Sequence, residues 1–214
     1  MVYVKNMEIK EAFEELKKEK KRKFTQTVDL IVNLQNFDVR KEALNTFLNV
    51  PYPMGRKIGA FLTKRSKIVP TITEMDFSKY NEIKDIKKLA REYDFFVAVA
   101  PMMSKIATKF GRVFGPLGKM PSPQAGIIPK DDDDMVKDMV EKMQGVIRVR
   151  NKEMSIKVAI GKEDMDVEKA VGNIESVLKQ LENKLPRGRD CIKNVMLKFT
   201  MTKPIKFIDY TKKK

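Results

Sequence analysis

The segment Phe110–Pro129 has the composition of a ligand-binding loop. Its sequence, FGRVFGPLGKMPSPQAGIIP, interleaves glycines with prolines. A phosphate-binding loop of nucleoside triphosphatases requires Gly, four residues, then Gly-Lys-Ser/Thr. Here Gly118 and Lys119 are followed by Met120, which has no hydroxyl for magnesium, and the first glycine of the pattern is missing. We therefore predict a long, fixed loop without nucleotide hydrolysis, whose Arg112 and Lys119 point at a partner.

Four consecutive carboxylates, Asp131–Asp134, have the composition of a metal site. Adjacent residues on a regular element cannot all face one ion, and helical spacing begins near Met135. Carboxylates at a helix N-terminus interact favourably with its free N–H groups and its dipole. The chain has no His and a single cysteine, Cys191, which excludes the ordinary zinc sites and an internal disulfide. We predict helix capping here and neither a metal nor any other cofactor.

Two separated segments share one pattern of residue types. Lys23–Asp29 reads KFTQTVD and Lys198–Pro204 reads KFTMTKP. Each combines a basic residue, an aromatic ring and short hydroxyl side chains at the end of a predicted strand. Hydroxyls bond to phosphates, 2′-hydroxyls and base edges, and Lys supplies positive charge. This chemistry predicts contact with nucleic acid.

The overall charge favours the same class of partner. The 214 residues hold 44 Lys and Arg against 29 Asp and Glu, a formal net charge of +15. Nucleic acid offsets such charge well, because each neutralised phosphate also releases condensed counterions. The absence of His removes the commonest neutral-pH general base and the usual nucleophile pairs, so we predict that the chain is not an enzyme. No apolar run reaches the ~18 residues of a membrane span, and the N-terminus has no signal-peptide pattern, so we expect a cytoplasmic protein without a membrane partner.

Periodicity predicts the elements that carry these segments. Apolar residues recur at helical spacing over 8–20, and from Phe24 the period changes to two, as in a strand packed on one face. The uninterrupted apolar run Phe95–Ala100 is typical of a parallel strand covered on both faces. Helices are predicted around it at 83–93, 102–110 and Met135–Met143.

The final third of the chain again alternates apolar and polar residues, as the strand after Phe24 does. Alternating strands are predicted at 146–150, 155–160 and 194–200, with a helical stripe of apolar residues over Val167–Leu181 between them. We therefore predict an α/β (α+β) protein of two domains. Residues 1–53 and 146–214 form a discontinuous, sandwich-like α+β domain, and 54–145 form an inserted three-layer α/β domain with a small parallel sheet, joined through two hinge strands.

Read in order, these segments resemble the ribosomal protein L-one family in its archaeal form, which is related to the eukaryotic version. The resemblance covers essentially the whole chain. Thr202 stands where the family usually has glycine. Because glycine readily adopts a positive φ, we expect a positive φ at this position, a conformation that Thr resists. The matching segments are Phe24–Asp29, Gly111–Pro116, Met120–Pro123, Asn173–Leu178, Ile192–Asn194 and Lys198–Met201.

The resemblance implies a structural constituent of the large ribosomal subunit that is monomeric when free. Its first domain would bind the ribosomal RNA of a mobile stalk near the tRNA exit site and assist the release of deacylated tRNA. The protein would also repress translation by binding its own messenger RNA. The RNA-binding residues that the resemblance implies are Lys23, Phe24, Thr25, Thr27, Thr200, Met201 and Thr202, with Glu14, Arg150 and Lys152 on the same surface and Arg112 and Lys119 in the second domain.

Two other functions remain open. A non-ribosomal relative acting in ribosome assembly would share the fold, although such proteins commonly carry long basic extensions and here only Lys212–Lys214 qualifies. A phosphate-handling α/β enzyme would use the glycines of residues 111–126. Co-sedimentation with mature large subunits separates the first from a ribosomal protein, and a nucleotide turnover assay tests the second.

Overall fold

The computed structural model describes residues 8–18, 22–42, 44–151 and 153–210. Lys152, the middle of the basic run at 17–23 and the tail Lys212–Lys214 lie outside the described residues. The elements are, in chain order, α1 (Ile9–Lys18), β1 (Thr27–Leu34), β2 (Asn45–Asn49), β3 (Ile58–Phe61), β4 (Thr71–Ile72), α2 (Ile83–Glu92), β5 (Phe95–Val99), α3 (Met103–Leu117), β6 (Ile127–Ile128), α4 (Asp133–Gln144), β7 (Val146–Arg150), β8 (Ser155–Lys162), α5 (Val167–Lys184), β9 (Ile192–Phe199) and β10 (Ile205–Asp209).

The chain divides into two compact units. Residues up to Met54 and from Gly145 onwards form the first unit, and Gly55–Gln144 form the second. The chain leaves the first unit after β2 and returns to it just before β7. At that point the Val50 amide donates to the Gly145 carbonyl at 2.8 Å, so the two crossings of the chain are neighbours. The second unit is therefore an insertion into the first.

The first unit is built on a four-stranded antiparallel sheet with the order β10-β9-β1-β8. The predicted alternation in β1 is confirmed, since Val28, Leu30 and Val32 are buried and the residues between them are half-exposed. The strand begins at Thr27, three residues later than predicted, so Phe24 lies outside it. Helices α1 and α5 cover the buried face of this sheet, and Phe13 of α1 meets the ring of Phe199 edge-on at 5.6 Å.

A two-stranded ribbon of β2 and β7 continues the first unit towards the insertion. The segment after β2 is held by Asn173, a fully buried residue of α5. Its Oδ1 accepts from the Tyr52 amide at 3.0 Å, and its Nδ2 donates to the carbonyls of Tyr52 and Ile160, both at 3.0 Å. One side-chain amide thus bonds to three backbone groups and holds the segment after β2 against α5 and β8.

The second unit contains a parallel sheet with the order β4-β3-β5-β6. Every residue of β3 and β5 is buried, as the apolar run predicted. Phe61 and Phe96 face α2 and α3 in an aromatic core, and α4 packs on the sheet through Val136 and Val140. The prediction of a three-layer α/β arrangement is confirmed.

Helix α3 overturns part of the predicted loop at 110–129. It extends to Leu117, seven residues beyond the predicted end, and contains Pro116 in its last turn. It continues because Phe110 and Phe114 are buried in the aromatic core, which outweighs the low helix propensity of the intervening glycines. Gly118, at φ 70°, terminates it in the left-handed conformation that favours glycine.

Within the residues that the structure covers, no helix is both long and apolar enough to cross a membrane.

Candidate nucleic-acid interface

The start of β1 and the end of β9 meet at one end of the antiparallel sheet. The register places Val28 opposite Phe199, so Thr27 and Thr200 are neighbours although they are 173 positions apart. The Thr27 amide donates to Thr200 Oγ1 at 3.0 Å, and the Thr200 amide donates to the Thr27 carbonyl at 3.1 Å. The structure therefore brings the two predicted segments together.

Gln26 links these segments to Glu163, the residue that follows β8. The residue is buried, its Oε1 accepts from the Met201 amide at 3.1 Å, and its Nε2 donates to a carboxylate oxygen of Glu163 at 3.3 Å. The Glu163 amide donates to the Gln26 carbonyl at 2.8 Å. The turn after β9 is thus fixed through one side chain. The alternating pattern predicted that Gln26 faces inwards, but nothing in the sequence identified Glu163 as its partner.

The turn after β9 does not need glycine. Thr202 Oγ1 accepts from the Phe199 amide at 2.9 Å, and the Thr202 amide donates to the Phe199 carbonyl at 3.2 Å. Asn36 is the sole non-glycine residue with a positive φ in the described parts of the chain. The expectation of a positive φ at Thr202 is therefore wrong, because its hydroxyl closes the turn in an ordinary backbone conformation.

Two apolar side chains project from this end of the sheet. Phe24 is 52% exposed and Met201 is 58% exposed. Lys23, Thr25 and Thr200 beside them are exposed as well. We call this set the strand-end surface; it comprises Lys23, Phe24, Thr25, Thr27, Thr200, Met201 and Thr202.

A cavity of about 460 Å³ adjoins the strand-end surface. Lys17, Arg22 and Lys23 line it together with Phe24 and Thr25, and two carboxylates close its rim. Lys17 and Arg22 belong to the basic run visible in the sequence, but neither was predicted as a site residue. Glu14 is exposed on α1, one turn before Lys17 and therefore on the same side of the helix. The cavity adds concentrated positive charge to the apolar and hydroxyl groups of the surface.

Arg150 does not lie with the strand-end surface. It pairs with Asn45 at the end of the ribbon where Lys184, the last residue of α5, donates to Thr46 Oγ1 and to the Phe47 carbonyl. The strand-end surface lies at the other end of α5, where β8 finishes and the helix begins. The prediction that Arg150 shares the surface is therefore wrong, and Lys152 lies outside the described residues.

Arg112 and Lys119 belong to the second unit. Arg112 is exposed on α3 instead of lying on a loop. Lys119 Nζ donates to the carbonyls of Ala90 and Tyr93 at 2.5 and 2.7 Å, so it caps the C-terminal end of α2. Burial lowers the pKa of Lys119, an effect that the nearby carboxylate of Asp94 partly offsets. These two hydrogen bonds contradict the prediction that the Lys119 side chain points at a partner.

Two of the four consecutive carboxylates accept from backbone amides. Asp131 Oδ2 accepts from the Lys64 amide at 2.8 Å, and Asp132 Oδ1 accepts from the Asp134 amide at 3.4 Å at the start of α4. The described residues contain no group of three or more His, Cys, Asp or Glu side chains arranged to hold a metal ion. The bond of Asp132 agrees with the capping interpretation.

Known proteins are similar in sequence to this chain over most of its length. The chain is 34% identical to the protein named large ribosomal subunit protein uL1 of Archaeoglobus fulgidus, across 97% of this chain and 100% of the relative. It is 36% identical to the protein of the same name from Thermococcus kodakarensis, across 92% of this chain and 94% of the relative. The protein of that name from Nanoarchaeum equitans is also 36% identical, with coverage of 85% and 91%.

A family profile matches the region that contains both units. The profile described as "Ribosomal protein L1p/L10e family" aligns with residues 16–203, which include both segments of the strand-end surface and the whole inserted unit. Together with relatives above 30% identity along nearly the full chain, this match shows that the chain belongs to the ribosomal protein L1p/L10e family.

Proposed function

We propose that this protein is a structural constituent of the large ribosomal subunit that binds the ribosomal RNA of the stalk through the strand-end surface. The names of its relatives support the assignment to the subunit. The formal charge of +15 supports an RNA partner. The proposed function is recognition without catalysis, in keeping with a sequence that has no His to serve as a general base.

One observation carries the proposal: two exposed apolar side chains stand among hydroxyls and cations where β1 begins and β9 ends. Phe24 and Met201 can pack against a ribose or an unstacked base. The hydroxyls of Thr25 and Thr200 can bond to 2′-hydroxyls and phosphates, and Lys23 adds charge. Hydrogen bonds fix the backbone of Thr27 and of residues 200–202, so little backbone entropy is lost in that part of the surface on binding.

The decisive test compares two exposed methionines of the first unit. Met201 lies on the strand-end surface, whereas Met154 is 50% exposed just before β8, at the opposite end of the sheet. Affinity is measured for a stalk fragment of large-subunit ribosomal RNA and for a scrambled duplex, across a salt series. We expect Met201→Asp to weaken stalk binding about 30-fold or more, because a desolvated apolar contact is replaced by a charge that repels phosphate.

Met154→Asp is the matched control and should leave the preference for the stalk intact. Equal losses from the two variants would mean that only net charge is being read. Equal affinity for both RNAs, falling in parallel with salt, would contradict structure-specific recognition.

Two finer roles extend the proposal. The protein assists release of deacylated tRNA from the exit site, and it represses translation by binding a stalk-like structure in its own messenger RNA. Cell-free translation of its own messenger RNA tests the second role. Added wild-type protein should reduce synthesis, Met154→Asp should reduce it equally, and Met201→Asp should not.

A role in ribosome assembly is the alternative. Co-sedimentation distinguishes the two, since a ribosomal constituent stays with mature large subunits after a high-salt wash. The predicted RNA contacts of Glu14 and Arg112 stay predictions, and of these two only Glu14 lies in the first unit. The contact predicted for Lys119 is not proposed, because its Nζ is bonded within the second unit.

A further inference from the structure

The second unit has a groove between α2 and α3. It encloses about 580 Å³. Ile83 of α2 and Leu117 of α3 line it and are 47% and 54% exposed, respectively. Val113, which belongs to the aromatic core, also lines the groove. Aliphatic side chains left exposed around a concavity beside a complete core are typical of an interaction site.

The groove has a basic rim. Lys87, Arg91 and Arg112 line it, and the described residues that form its walls include no carboxylate. Lys119 also lies there, but its Nζ bonds to the last carbonyls of α2 and thereby ties the end of α2 to the end of α3. The rim therefore offers three side-chain cations around a braced, aliphatic floor.

The other side of α3 carries Gly111 and Gly115, which do not line the groove. A Cβ added to either glycine would meet nothing within 4 Å, so packing inside the unit does not require glycine at either position. Each glycine in a helix costs about 1 kcal/mol relative to alanine.

We propose that this groove binds an acidic amphipathic helix of a partner protein. Leu, Ile or Phe side chains at positions i, i+3 or i+4 and i+7 of the partner enter between Ile83 and Leu117. Asp and Glu on the flanks of the same helix pair with Lys87, Arg91 and Arg112. A protein fits better than RNA because the lining contains neither an aromatic ring for base stacking nor a hydroxyl. The inference does not rest on the proposed RNA function.

A display selection tests the proposal. The full chain is immobilised and a library of random 16-residue peptides is selected on it, and the enriched peptides are then synthesised. We expect helical sequences with aliphatic anchors and net negative charge. Amide chemical-shift changes on binding should map to α2 and to residues 112–119.

Two variants locate the binding site. Leu117→Asp and Arg91→Glu should each weaken the selected peptides about tenfold or more. Met75→Asp, at the most exposed large apolar side chain of the unit, is the control and should not. Unchanged amide chemical shifts of β3 and β5 in each variant show that the second unit remains folded.

Three outcomes would overturn the proposal. The first is that no peptide is enriched, and the second is that enriched peptides lack acidic residues or bind equally to Leu117→Asp. The third is that a labelled single-stranded RNA shifts the α2 and α3 amides while the acidic peptides do not, which would assign the groove to nucleic acid.

Discussion

The strand-end surface of the first unit and the α2–α3 groove of the second both place exposed apolar side chains next to cations. They differ in the polar atoms between them. At the strand ends, Thr25, Thr200 and Thr202 supply hydroxyls around an aromatic ring and a thioether, whereas the groove has only aliphatic walls. Positive charge is therefore common to both sites, and the neighbouring uncharged groups decide whether nucleic acid or protein fits.

Unfolding the second unit alone tests whether the two surfaces work independently, and it has the largest expected effect. Phe61 is fully buried, and its ring lies 5.3 to 6.1 Å from those of Phe77, Phe96, Phe110 and Phe114. Phe61→Ala should cost the second unit about 3–5 kcal/mol of unfolding free energy. At a urea concentration where only that unit has unfolded, stalk RNA affinity should persist and peptide binding should vanish. Loss of both would show that the two surfaces are not independent.

A smaller effect is expected from one hydroxyl at the strand ends. Thr200→Ala removes the hydroxyl that we propose bonds to RNA and that also accepts from the Thr27 amide. Binding of stalk RNA should weaken about tenfold, as expected for the loss of one hydrogen bond to RNA of about 1–1.5 kcal/mol. Thr200→Ser keeps the oxygen and should bind like the wild type. Peptide affinity of the groove should not change. If Ser behaves like Ala, the methyl group and not the hydroxyl is responsible.

Each unit contains an aspartate with a shifted pKa, and the two shifts have opposite directions. In the second unit, the pKa of Asp76 is held well below its ordinary value by hydrogen bonds from Lys79 Nζ at 2.7 Å and from the Thr73 hydroxyl at 2.8 Å. In the first unit, half-burial raises the pKa of Asp29, and the positive charge of Lys198 partly offsets this rise. Asp76 thus stabilises its unit when ionised, and Asp29 destabilises its own.

The pH dependence follows from these shifts. The stabilisation by Asp76 is present above the unfolded pKa of about 4 and is lost as the pH falls below it. Asp76→Asn should lower the melting temperature at pH 7, and this difference should shrink as the pH falls towards 3. Asp29→Asn should raise it at pH 7, because ionisation of Asp29 costs stability as the pH rises through its raised pKa. Calorimetric scans between pH 3 and 7 measure both, and equal signs would contradict the assignment.

The smallest predicted effect concerns the bare side of α3. Gly115→Ala should raise the unfolding free energy of the second unit by about 0.5–1 kcal/mol, because a Cβ there meets only open space. Urea unfolding monitored by a probe in that unit measures the change, and RNA affinity should stay constant. A destabilising effect would contradict this assignment and mean that the fold requires glycine at this position.

The sequence predicted the elements whose periodicity is strong, and it failed where tertiary contacts decide. Alternation identified β1 and β9, and continuous apolar residues identified β5. Helix α3 was predicted too short because Gly111, Gly115 and Pro116 suggest a loop, whereas packing of Phe110 and Phe114 into the aromatic core maintains the helix. The short strands β2 and β10 were not predicted.

The site could be predicted by residue type but not by partners. The shared KFT pattern indicated both halves of the strand-end surface, and the register brought them together. The bonds from Gln26 to Met201 and Glu163 join residues far apart in sequence, for which one sequence contains no signal. Arg150 was misplaced for the same reason, because its position depends on the pairing of β2 with β7.

The pairing of β1 with β9 determines how late in synthesis the sheet of the first unit can be completed. The inserted unit consists of contiguous residues and can fold as soon as Gln144 has emerged, but β1 has no partner on one side until residue 199 is made. At a synthesis rate of about 5–20 residues per second, this strand waits roughly ten seconds or longer. By the end of that interval the nascent chain carries most of its positive charge, although the strand-end surface does not yet exist. Selective RNA binding is therefore a property that only the finished chain acquires.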